Sequence, residues 1–358
     1  MSILAPGATI GILGGGQLGR MLALAAAELG FDVHIYAPEP DCPASRVAAR
    51  HVIAAYEDEA ALAAFGAAVD VVTFEFENVP AAAVETLLAA GAVVRPGALA
   101  LATAQDRLAE KAFLNAAGVP TVAYRAIDGP ADIASALLAL GAPALLKTRR
   151  FGYDGKGQIW VRDASEATAA WDAIGAAPAI LEAAAGFERE CSVVAARSVD
   201  GAVRCYDLCE NRHSDGILVE TIAPAALTPE TAAQAFSYAS ALVERLDYVG
   251  VLALELFVLP DMTLLANEMA PRVHNSGHWT PDACATGQFE QHIRAVAGWP
   301  LGDPSRRAAA RMINLIGDDV LAWPNFAAAS NAKVHLYGKR DIRPGRKMGH
   351  VTVLGDSV

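Results

Sequence analysis

Residues 251–279 read VLALELFVLPDMTLLANEMAPRVHNSGHW, two apolar runs followed by a polar loop. The runs cover residues 251–259 and 263–269 and are rich in the aliphatic and aromatic residues that favour β-strands. Pro260 and Asp261 lie between them, and both residue types are typical of turns. The stretch therefore predicts a β-hairpin, around which the rest of the chain is assigned.

The predicted hairpin brings two carboxylates together. A turn centred just after Asp261 pairs Leu259 with Leu264, and the same register sets Glu255 opposite Glu268. Opposed side chains lie roughly 4.5–5.5 Å apart at Cβ, and like charges there repel. A divalent cation removes the repulsion, and Mg²⁺ suits the pair because it takes one or two carboxylates besides water and phosphate. The alternative is a register shifted by one residue, which turns one glutamate to solvent; the hairpin alone leaves both open.

The composition limits the classes to which this chain can belong. Its 358 residues are enough for two or three domains. A formal net charge of -12 argues against a general nucleic-acid surface, but it allows local basic clusters that bind phosphorylated small molecules. Five cysteines without CxxC spacing indicate reduced thiols. The N-terminus has no basic segment of a signal peptide, and charges interrupt every long apolar run. We expect a soluble, cytoplasmic protein.

A glycine-rich turn follows the first predicted strand. Gly14, Gly16 and Gly19 form GxGxxG between a strand and a helix, where backbone amides at a helix N-terminus bind anions. A dinucleotide site would also need an acidic residue at the end of the second strand, but Ala37 follows Tyr36 there. The turn therefore favours an open parallel sheet more strongly than it favours NAD. The alternative is a turn whose glycines only allow close helix packing.

A third predicted strand of this sheet, at residues 70–77, ends in Glu75 and Glu77. Ligands of open α/β sheets bind beyond the carboxyl ends of the strands, so these acids are candidates for contact with a substrate. Helix capping or exposure to solvent is the alternative. Residues 81–90 are predicted as a helix and residues 92–94 as a strand.

The middle of the chain carries cations and glycines. Residues 101–117 predict one helix that places Arg107 and Lys111 one turn apart, either against a phosphate or on a solvated face. A predicted strand then delivers Lys147 into residues 149–158, RRFGYDGKGQ, whose three glycines lie among four cations when Lys147 is included. Backbone amides and lysines of such a hairpin surround phosphates. Walker A and protein-kinase motifs are absent from the sequence.

Three further segments carry polar groups. A strand at residues 179–182 runs into an alanine-rich passage and then Glu190, where backbone groups suit an adenine edge and a carboxylate suits ribose hydroxyls. Residues 272–278 combine Arg, Asn, Ser and two His. Residues 339–350 form a basic cluster that, in an acidic protein, favours a phosphate subsite; a flexible basic tail is the alternative.

The order of these motifs resembles the ATP-grasp superfamily over essentially the whole chain, and most closely the N5-carboxyaminoimidazole ribonucleotide synthetase family of purine biosynthesis. The strings that carry the resemblance are GGGQLGRM, KTRRFGYDGKGQ, NEMAPRVHNSGHWT and RPGRKMGH. It implies a mixed α/β and α+β chain, namely an ATP-grasp fold with a Rossmann-like N-terminal (pre-ATP-grasp) domain and a small C-terminal β-rich subdomain. The implied divisions are residues 1–117, the small lobe at 118–181 and the large lobe at 182–358.

The resemblance also assigns roles by matching position. The implied ATP-binding residues are Arg107, Lys147, the loop residues Gly152, Tyr153, Asp154, Gly155, Lys156, Gly157 and Gln158, then Glu182, Ala183, Ala184, Ala185, Glu190, His213, Asn267 and Glu268. Glu255 and Glu268 would hold Mg²⁺. The implied contacts of the acceptor ribonucleotide are Gln17, Glu75 or Glu77, Tyr153, Asp154, Arg272, His274, Asn275, Lys339 and Arg346. Catalytic roles would fall to Tyr153, Asp154, Arg272 and His274, and the sequence does not choose between Asp154 and His274 as the group that acts on the amine. The alanines offer adenine only backbone groups.

The implied reaction is ATP- and bicarbonate-dependent carboxylation of 5-aminoimidazole ribonucleotide through carboxyphosphate, by a homodimer that binds small molecules and neither nucleic acid nor membrane. Three alternatives remain at this stage. A formate-dependent ribonucleotide transformylase shares the architecture. A dinucleotide-dependent oxidoreductase would use GxGxxG but leaves Lys147 and the opposed glutamates without a role. A non-catalytic nucleotide sensor would not need the two glutamates.

Overall fold

The computed structural model describes residues 3–152 and 155–355, and its first sheet is the predicted open parallel sheet. Its strands are β1 (Thr9–Leu13), β2 (Asp32–Tyr36), β3 (Arg50–Val52) and β4 (Val71–Phe74), in the order β3-β2-β1-β4. Three helices follow strands of this sheet: α1 (Gln17–Glu28), α2 (Glu59–Ala67) and α3 (Ala81–Ala89). The predicted strand at 92–94 is wrong, because only Val94 forms a single parallel bridge, with Val72.

Two helices replace the single helix predicted at residues 101–117. They are α4 (Ala98–Ala104) and α5 (Arg107–Ala116). Asp106 separates them because its backbone is extended and its carboxylate accepts hydrogen bonds from the amides of Leu108 and Ala109. The prediction missed this N-cap, which places Arg107 in the first turn of α5.

The second sheet is antiparallel and holds the predicted glycine-rich hairpin. Its order is β5-β8-β6-β7. The elements are β5 (Tyr124–Ile127), α6 (Pro130–Leu140), β6 (Ala144–Thr148), β7 (Gln158–Val161), α7 (Ala167–Ala173) and β8 (Ala179–Ala183). Lys147 pairs with Gln158 across the hairpin, so the glycine-rich residues form the connection between β6 and β7.

The third sheet contains the remaining strands, and its path runs β14-β13-β9-β11-β12-β15-β17-β16, with β10 paired to β9. The strands are β9 (Arg189–Arg197), β10 (Val203–Cys205), β11 (Cys209–Ser214), β12 (Ile217–Ala223), β13 (Gly250–Val258), β14 (Leu264–Ala270), β15 (Ala309–Ile316), β16 (Ala332–Leu336) and β17 (Lys347–Gly355). The helices are α8 (Pro229–Arg245), α9 (Thr280–Ala283), α10 (Gln288–Val296) and α11 (Trp323–Ala327). One apolar core joins the first sheet to the third through α1 and α10. The described helices include none that is long and apolar enough to cross a membrane.

The hairpin of β13 and β14 confirms the opposed glutamates but corrects the turn. Val258, not Leu259, pairs with Leu264, so the predicted register is wrong beside the turn. A β-bulge then adds one residue to β14, and Glu255 pairs with Glu268 beyond it. The predicted register was off by one residue at the turn, and the bulge shifts the register by one residue in compensation. The predicted pairing of Glu255 with Glu268 is therefore correct.

The predicted domain limits remain a prediction. The limit at residue 117 falls just past the end of α5 at Ala116, whereas the limit at residue 181 falls inside β8. Strands β15 to β17 continue the third sheet, so the C-terminal segment shares hydrogen bonds with the strands before it.

Replacing the two aspartate caps by alanine gives matched stability tests. Asp106 caps α5 and also pairs with Arg149, at 2.8 Å, whereas exposed Asp58 caps α2 through the amide of Ala61. A lost cap costs about 1 kcal/mol, and Asp106→Ala also leaves Arg149 without its carboxylate. We expect thermal unfolding to show a lower midpoint for Asp106→Ala than for Asp58→Ala. Equal midpoints would contradict this account.

Candidate active site

A cavity of about 1040 Å³ is lined by residues of the second and third sheets and by residues that follow β1 and β4 of the first. It collects most of the residues that the sequence singled out, which are Gln17, Glu75, Glu77, Arg107, Lys147, Gly152, Gly155, Lys156, Gln158, Glu190, His213, Glu255, Asn267, Glu268, Arg272, His274, Asn275, Lys339 and Arg346. Residues far apart in the chain therefore face one space.

A few predicted residues lie elsewhere. Among the described residues, those absent from the cavity lining are Gly157, Glu182, Ala183, Ala184 and Ala185. The predicted loop residues Tyr153 and Asp154 lie outside the described residues.

Glu255 and Glu268 keep 15% and 38% of their side-chain areas accessible, so both carboxylates reach the cavity. His274 Nε2 lies 3.1 Å from Glu255, and Arg107 donates to Glu268 at 2.7 Å. Burial and the charge of Glu268 raise the pKa of Glu255. Burial alone would raise the pKa of Glu268 as well, but Arg107 holds it below its ordinary value. The two carboxylates therefore favour binding one proton or one cation over both staying ionised and unbound.

One face of α5 holds the strand that carries Glu268. Besides the contact of Arg107, Lys111 Nζ donates to the Asn267 carbonyl at 2.9 Å, and Glu110 accepts from the Met269 amide at 2.6 Å. Lys111 is fully buried, so the predicted alternative of a solvated face is wrong. The sequence analysis did not assign Glu110, although its place three residues after Arg107 puts it on the same face.

Lys147 and Lys111 share one buried carboxylate. Glu182 Oε2 accepts from Lys147 at 2.7 Å, and its Oε1 lies 3.2 Å from Lys111 Nζ. Burial alone would raise the pKa of Glu182, but the two lysines hold it below its ordinary value. The structure thus uses the Glu182 side chain to balance two cations beneath the cavity.

The GxGxxG turn binds a carboxylate of its own chain. Glu75, at the end of β4, accepts from the amides of Gly16 and Gly19. A Cβ added at Gly14 would lie 2.4 Å from Glu75 Cγ, and one at Gly16 would lie 2.6 Å from Glu75 Oε1. These glycines are needed because any side chain would displace the carboxylate. Neither the dinucleotide nor the simple packing alternative describes this turn.

The glycine-rich hairpin is tied to the cation of α5. Arg107 Nη2 donates to the Gly152 carbonyl at 3.3 Å while its other nitrogen holds Glu268. Gly157 has a φ of 70°, and a Cβ there would lie 2.7 Å from Thr148 Oγ1. Only glycine fits that position without displacing Thr148.

The polar loop after β14 contributes three groups to the cavity. Arg272 forms an ion pair with Glu77, and it holds the pKa of that glutamate below its ordinary value although burial opposes this. Burial and the charge of Arg272 lower the pKa of His274 well below its ordinary value. Asn275 has both side-chain polar atoms buried without a hydrogen-bond partner in the described chain. An unpartnered buried amide at a cavity wall indicates a ligand contact.

The sequence analysis missed an apolar wall. Phe187 stacks on Phe257 with ring centroids 4.4 Å apart and an interplanar angle of 13°. Both rings line the cavity together with Leu145 and Trp160. On the same side, His213 Nδ1 lies 2.5 Å from Glu190. Alternation in β13 predicted Phe257 as a strand residue, but no motif linked it to Phe187.

The basic cluster near the C-terminus also lines the cavity. Lys339 Nζ donates to the Lys347 carbonyl at 2.7 Å, and Arg346 donates to the Asp341 carbonyl at 2.9 Å. Arg343 and Lys347, which the sequence analysis did not assign individually, are lining residues as well. The cluster is therefore part of the cavity wall rather than a tail.

Known families match this chain along nearly its whole length. A ribonucleotide synthetase preATP-grasp domain matches residues 7–105, an ATP-grasp domain matches 112–289, and a phosphoribosylaminoimidazole carboxylase C-terminal domain matches 310–358. A Brucella melitensis protein named N5-carboxyaminoimidazole ribonucleotide synthase is 55% identical over 98% of this chain and 97% of its own. The chain belongs to the N5-carboxyaminoimidazole ribonucleotide synthase family.

Solved structures of this family share the fold. The synthetase from Thermus thermophilus is 46% identical, with a TM-score of 0.91 over 97% of this chain and 94% of its own. The Aspergillus clavatus synthase, solved with ADP and 5-aminoimidazole ribonucleotide, is 31% identical, with a TM-score of 0.92 over 98% of this chain and 95% of its own. The predictions of the family, of its fold and of an ATP-grasp ligase are confirmed.

The occupied glycine turn predicts that this family member does not bind NADH. Its amides already donate to Glu75, so a pyrophosphate would have to displace a buried carboxylate. Isothermal titration with NADH should give no saturable heat, whereas ATP with Mg²⁺ should give a binding isotherm in the same buffer. Saturable NADH binding that ATP does not displace would overturn this assignment of the turn.

Proposed function

We propose that this chain uses ATP and bicarbonate to carboxylate the exocyclic amine of 5-aminoimidazole ribonucleotide, giving N5-carboxyaminoimidazole ribonucleotide, ADP and phosphate in purine biosynthesis. The observation that carries the proposal is the opposition of Glu255 and Glu268 in a cavity that also holds Arg272 and His274. The related Aspergillus clavatus enzyme was solved with ADP and this ribonucleotide.

ATP is proposed to enter between the glycine-rich hairpin and the third sheet. Lys147 and Arg107 supply the positive charge for its phosphates, and amides of the hairpin supply donors. The stacked Phe187 and Phe257 offer an apolar surface to adenine. Glu190, which lines the cavity, is proposed to accept hydrogen bonds from the ribose hydroxyls. Ala183 to Ala185 are absent from the cavity lining, so their contact with adenine stays a prediction.

The proposed Mg²⁺ ligands are Glu255 and Glu268, with Asn267 beside them. Asn267 Oδ1 is buried without a hydrogen-bond partner in the described chain, and its neighbours are two carboxylates, so the residues fit an oxygen-preferring cation. Residues 3–152 and 155–355 contain no cluster of three or more His, Cys, Asp or Glu side chains that could hold a metal, and Mg²⁺ with phosphate oxygens does not need one. When bound, Mg²⁺ would neutralise charge on the reacting phosphates.

The ribonucleotide is proposed to bind on the opposite side of the glutamate pair. Lys339 and Arg346 would hold its 5′-phosphate, while Asn275 offers an unpartnered amide to the ribose or ring. Arg272, held by Glu77, keeps its charge beside the acceptor. Gln17 and Glu75 line this part of the wall, whereas predicted roles for Tyr153 and Asp154 stay predictions.

The proposed chemistry has two displacements. A bicarbonate oxygen bonds to the γ-phosphorus as the bond to the β–γ bridging oxygen breaks, which gives carboxyphosphate and ADP. The C–O bond of carboxyphosphate then breaks and gives carbon dioxide and phosphate, the amine nitrogen bonds to the carbon dioxide, and the proton that the amine loses passes to the released phosphate. Lys147 and Arg107 offset charge on the transferring phosphoryl group.

A homodimer and a cytoplasmic location complete the proposal. All five cysteines are free thiols, which supports a reducing compartment. Light scattering after size exclusion tests the oligomeric state: twice the mass of one chain, 37.3 kDa, is expected.

An ADP-release assay tests the proposed reaction. With ATP, Mg²⁺ and 5-aminoimidazole ribonucleotide, we expect ADP formation that depends on bicarbonate and is not supported by formate. Release that requires formate would indicate the transformylase alternative. Absence of ADP release with both bicarbonate and formate would contradict the proposal.

Glu268→Gln tests the metal assignment. The variant removes the charge that completes the carboxylate pair, so bicarbonate-dependent ADP formation should fall at least about a hundredfold while the thermal midpoint stays close to that of the unchanged chain. Glu244→Gln, on the exposed side of α8, is the matched control and should keep full activity. Full activity of Glu268→Gln would refute the role of this residue.

A further inference from the structure

A chain of buried hydrogen bonds runs through the third sheet to His274. Thr221 Oγ1 donates to Asn211 Oδ1 at 2.9 Å, and Asn211 Nδ2 donates to Ser192 Oγ at 2.9 Å. Ser192 Oγ then donates to Ser276 Oγ at 2.6 Å, and Ser276 Oγ lies 2.9 Å from His274 Nδ1. The first four side chains are at most 5% exposed, so water does not compete for these bonds.

The direction of these bonds is set at the His274 end, where the backbone amide of Ser276, which can only donate, donates to Nδ1. Because Nδ1 is then an acceptor, Ser276 Oγ donates to it and accepts from Ser192, which accepts from Asn211 Nδ2. Cys209 Sγ lies 3.2 Å from Ser192 Oγ, but sulfur is a weak acceptor and the hydroxyl of Ser276 is closer.

Both ring nitrogens of His274 agree with that direction. The backbone amide of Ser276 also donates to Nδ1, at 3.3 Å, so Nδ1 faces two donors and acts as an acceptor. Nε2 lies 3.1 Å from Glu255 Oε1, which accepts from an N–H when the carboxylate is ionised. A neutral ring in this setting carries its proton on Nε2.

The backbone of His274 is fixed separately. The side chain of Gln288, fully buried at the start of α10, accepts from the His274 amide at 2.9 Å and donates to the His274 carbonyl at 2.7 Å. The ring orientation is thus the remaining freedom of this residue, and the serines and Glu255 set it.

We propose that Ser192 and Ser276 are positioning residues for the carboxylation, because they hold His274 as its Nε2–H tautomer with that N–H directed at Glu255. This rests on the proposed function of the site. His274 then acts as a fixed hydrogen-bond donor in the cavity. Because Nε2 already carries a proton, it does not take the proton that the acceptor amine loses. Of Asp154 and His274, the two residues that the sequence left open for acting on the amine, His274 is therefore excluded as the base.

The tautomer can be measured directly on the unchanged chain. Long-range ¹H–¹⁵N correlation spectra of histidine-labelled protein, with His274→Gln used to assign the signal, should show the Nε2–H pattern near neutral pH without nucleotide. An Nδ1–H pattern or an imidazolium would overturn the proposal. This measurement does not depend on turnover, so an inactive enzyme with the Nε2–H pattern would count against the proposed function and leave this inference standing.

A double-mutant cycle tests the path through the serines. Ser276→Ala should lower kcat for the ribonucleotide reaction about tenfold and leave KM for ATP within about twofold, because one hydrogen bond to the ring is lost. Ser192→Ala should lower kcat in the unchanged chain but not in the Ser276→Ala background, since it acts only through Ser276. Additive losses, or full kcat in Ser276→Ala, would overturn the proposal.

Ser198→Ala is the matched control. Ser198 is 2% exposed, follows β9 and donates to Asp200, outside the chain that reaches His274. Its variant should keep kcat, both KM values and the His274 spectrum. If Ser198→Ala lowered kcat as much as Ser192→Ala does, the effect would be a general response to a buried void, and the proposal would fail.

Discussion

The active-site geometry depends on the contacts that the short helix α5 makes with the bulged strand β14. Arg107, Glu110 and Lys111 of α5 contact the side chain, amide or carbonyl of three successive residues around the bulge in β14. A bulge leaves backbone groups unpaired and lets a strand shift. Here the helix supplies the missing partners, so the strand keeps the register that sets Glu268 opposite Glu255. Asp106 fixes where this helix begins, and therefore where Arg107 lies.

The buried charges form separate sets, in each of which a carboxylate balances one or two cations. Glu182 balances Lys111 and Lys147 below the cavity, and Glu77 balances Arg272 on the cavity wall. Removing one member of such a set leaves an uncompensated charge in a low-dielectric setting, which costs far more than the pair contributes. The arrangement keeps cations charged and in place before any phosphate arrives. Positioning of this kind suits phosphoryl transfer, in which the protein contributes electrostatics more than covalent chemistry.

The sequence predicted more of the cavity wall than of what supports it. A register count from the turn identified Glu255 and Glu268, and the polar string at 272–278 identified Arg272, because these signals lie within one short stretch of sequence. The opposed glutamates were found despite an error at the turn, since the bulge shifts the register by one. Glu110 and Gln288 were missed because each acts on backbone groups distant in sequence, and no local pattern marks such a contact. Phe187 was missed because it lies in the connection before β9 and its partner ring lies on β13, far along the chain.

The carboxylate of Glu75 inside the glycine turn has a wider meaning. A loop of bare amides at a helix N-terminus is a general receptor for negative charge, and its sequence alone does not say whose charge it receives. In this chain Glu75, which follows the neighbouring strand β4, accepts from the amides of the turn. The residue after β4, and not the turn itself, therefore determines which negative charge the turn binds. Two proteins with the same glycine signature can thus bind different ligands because of a single side chain at the end of the strand that pairs with β1.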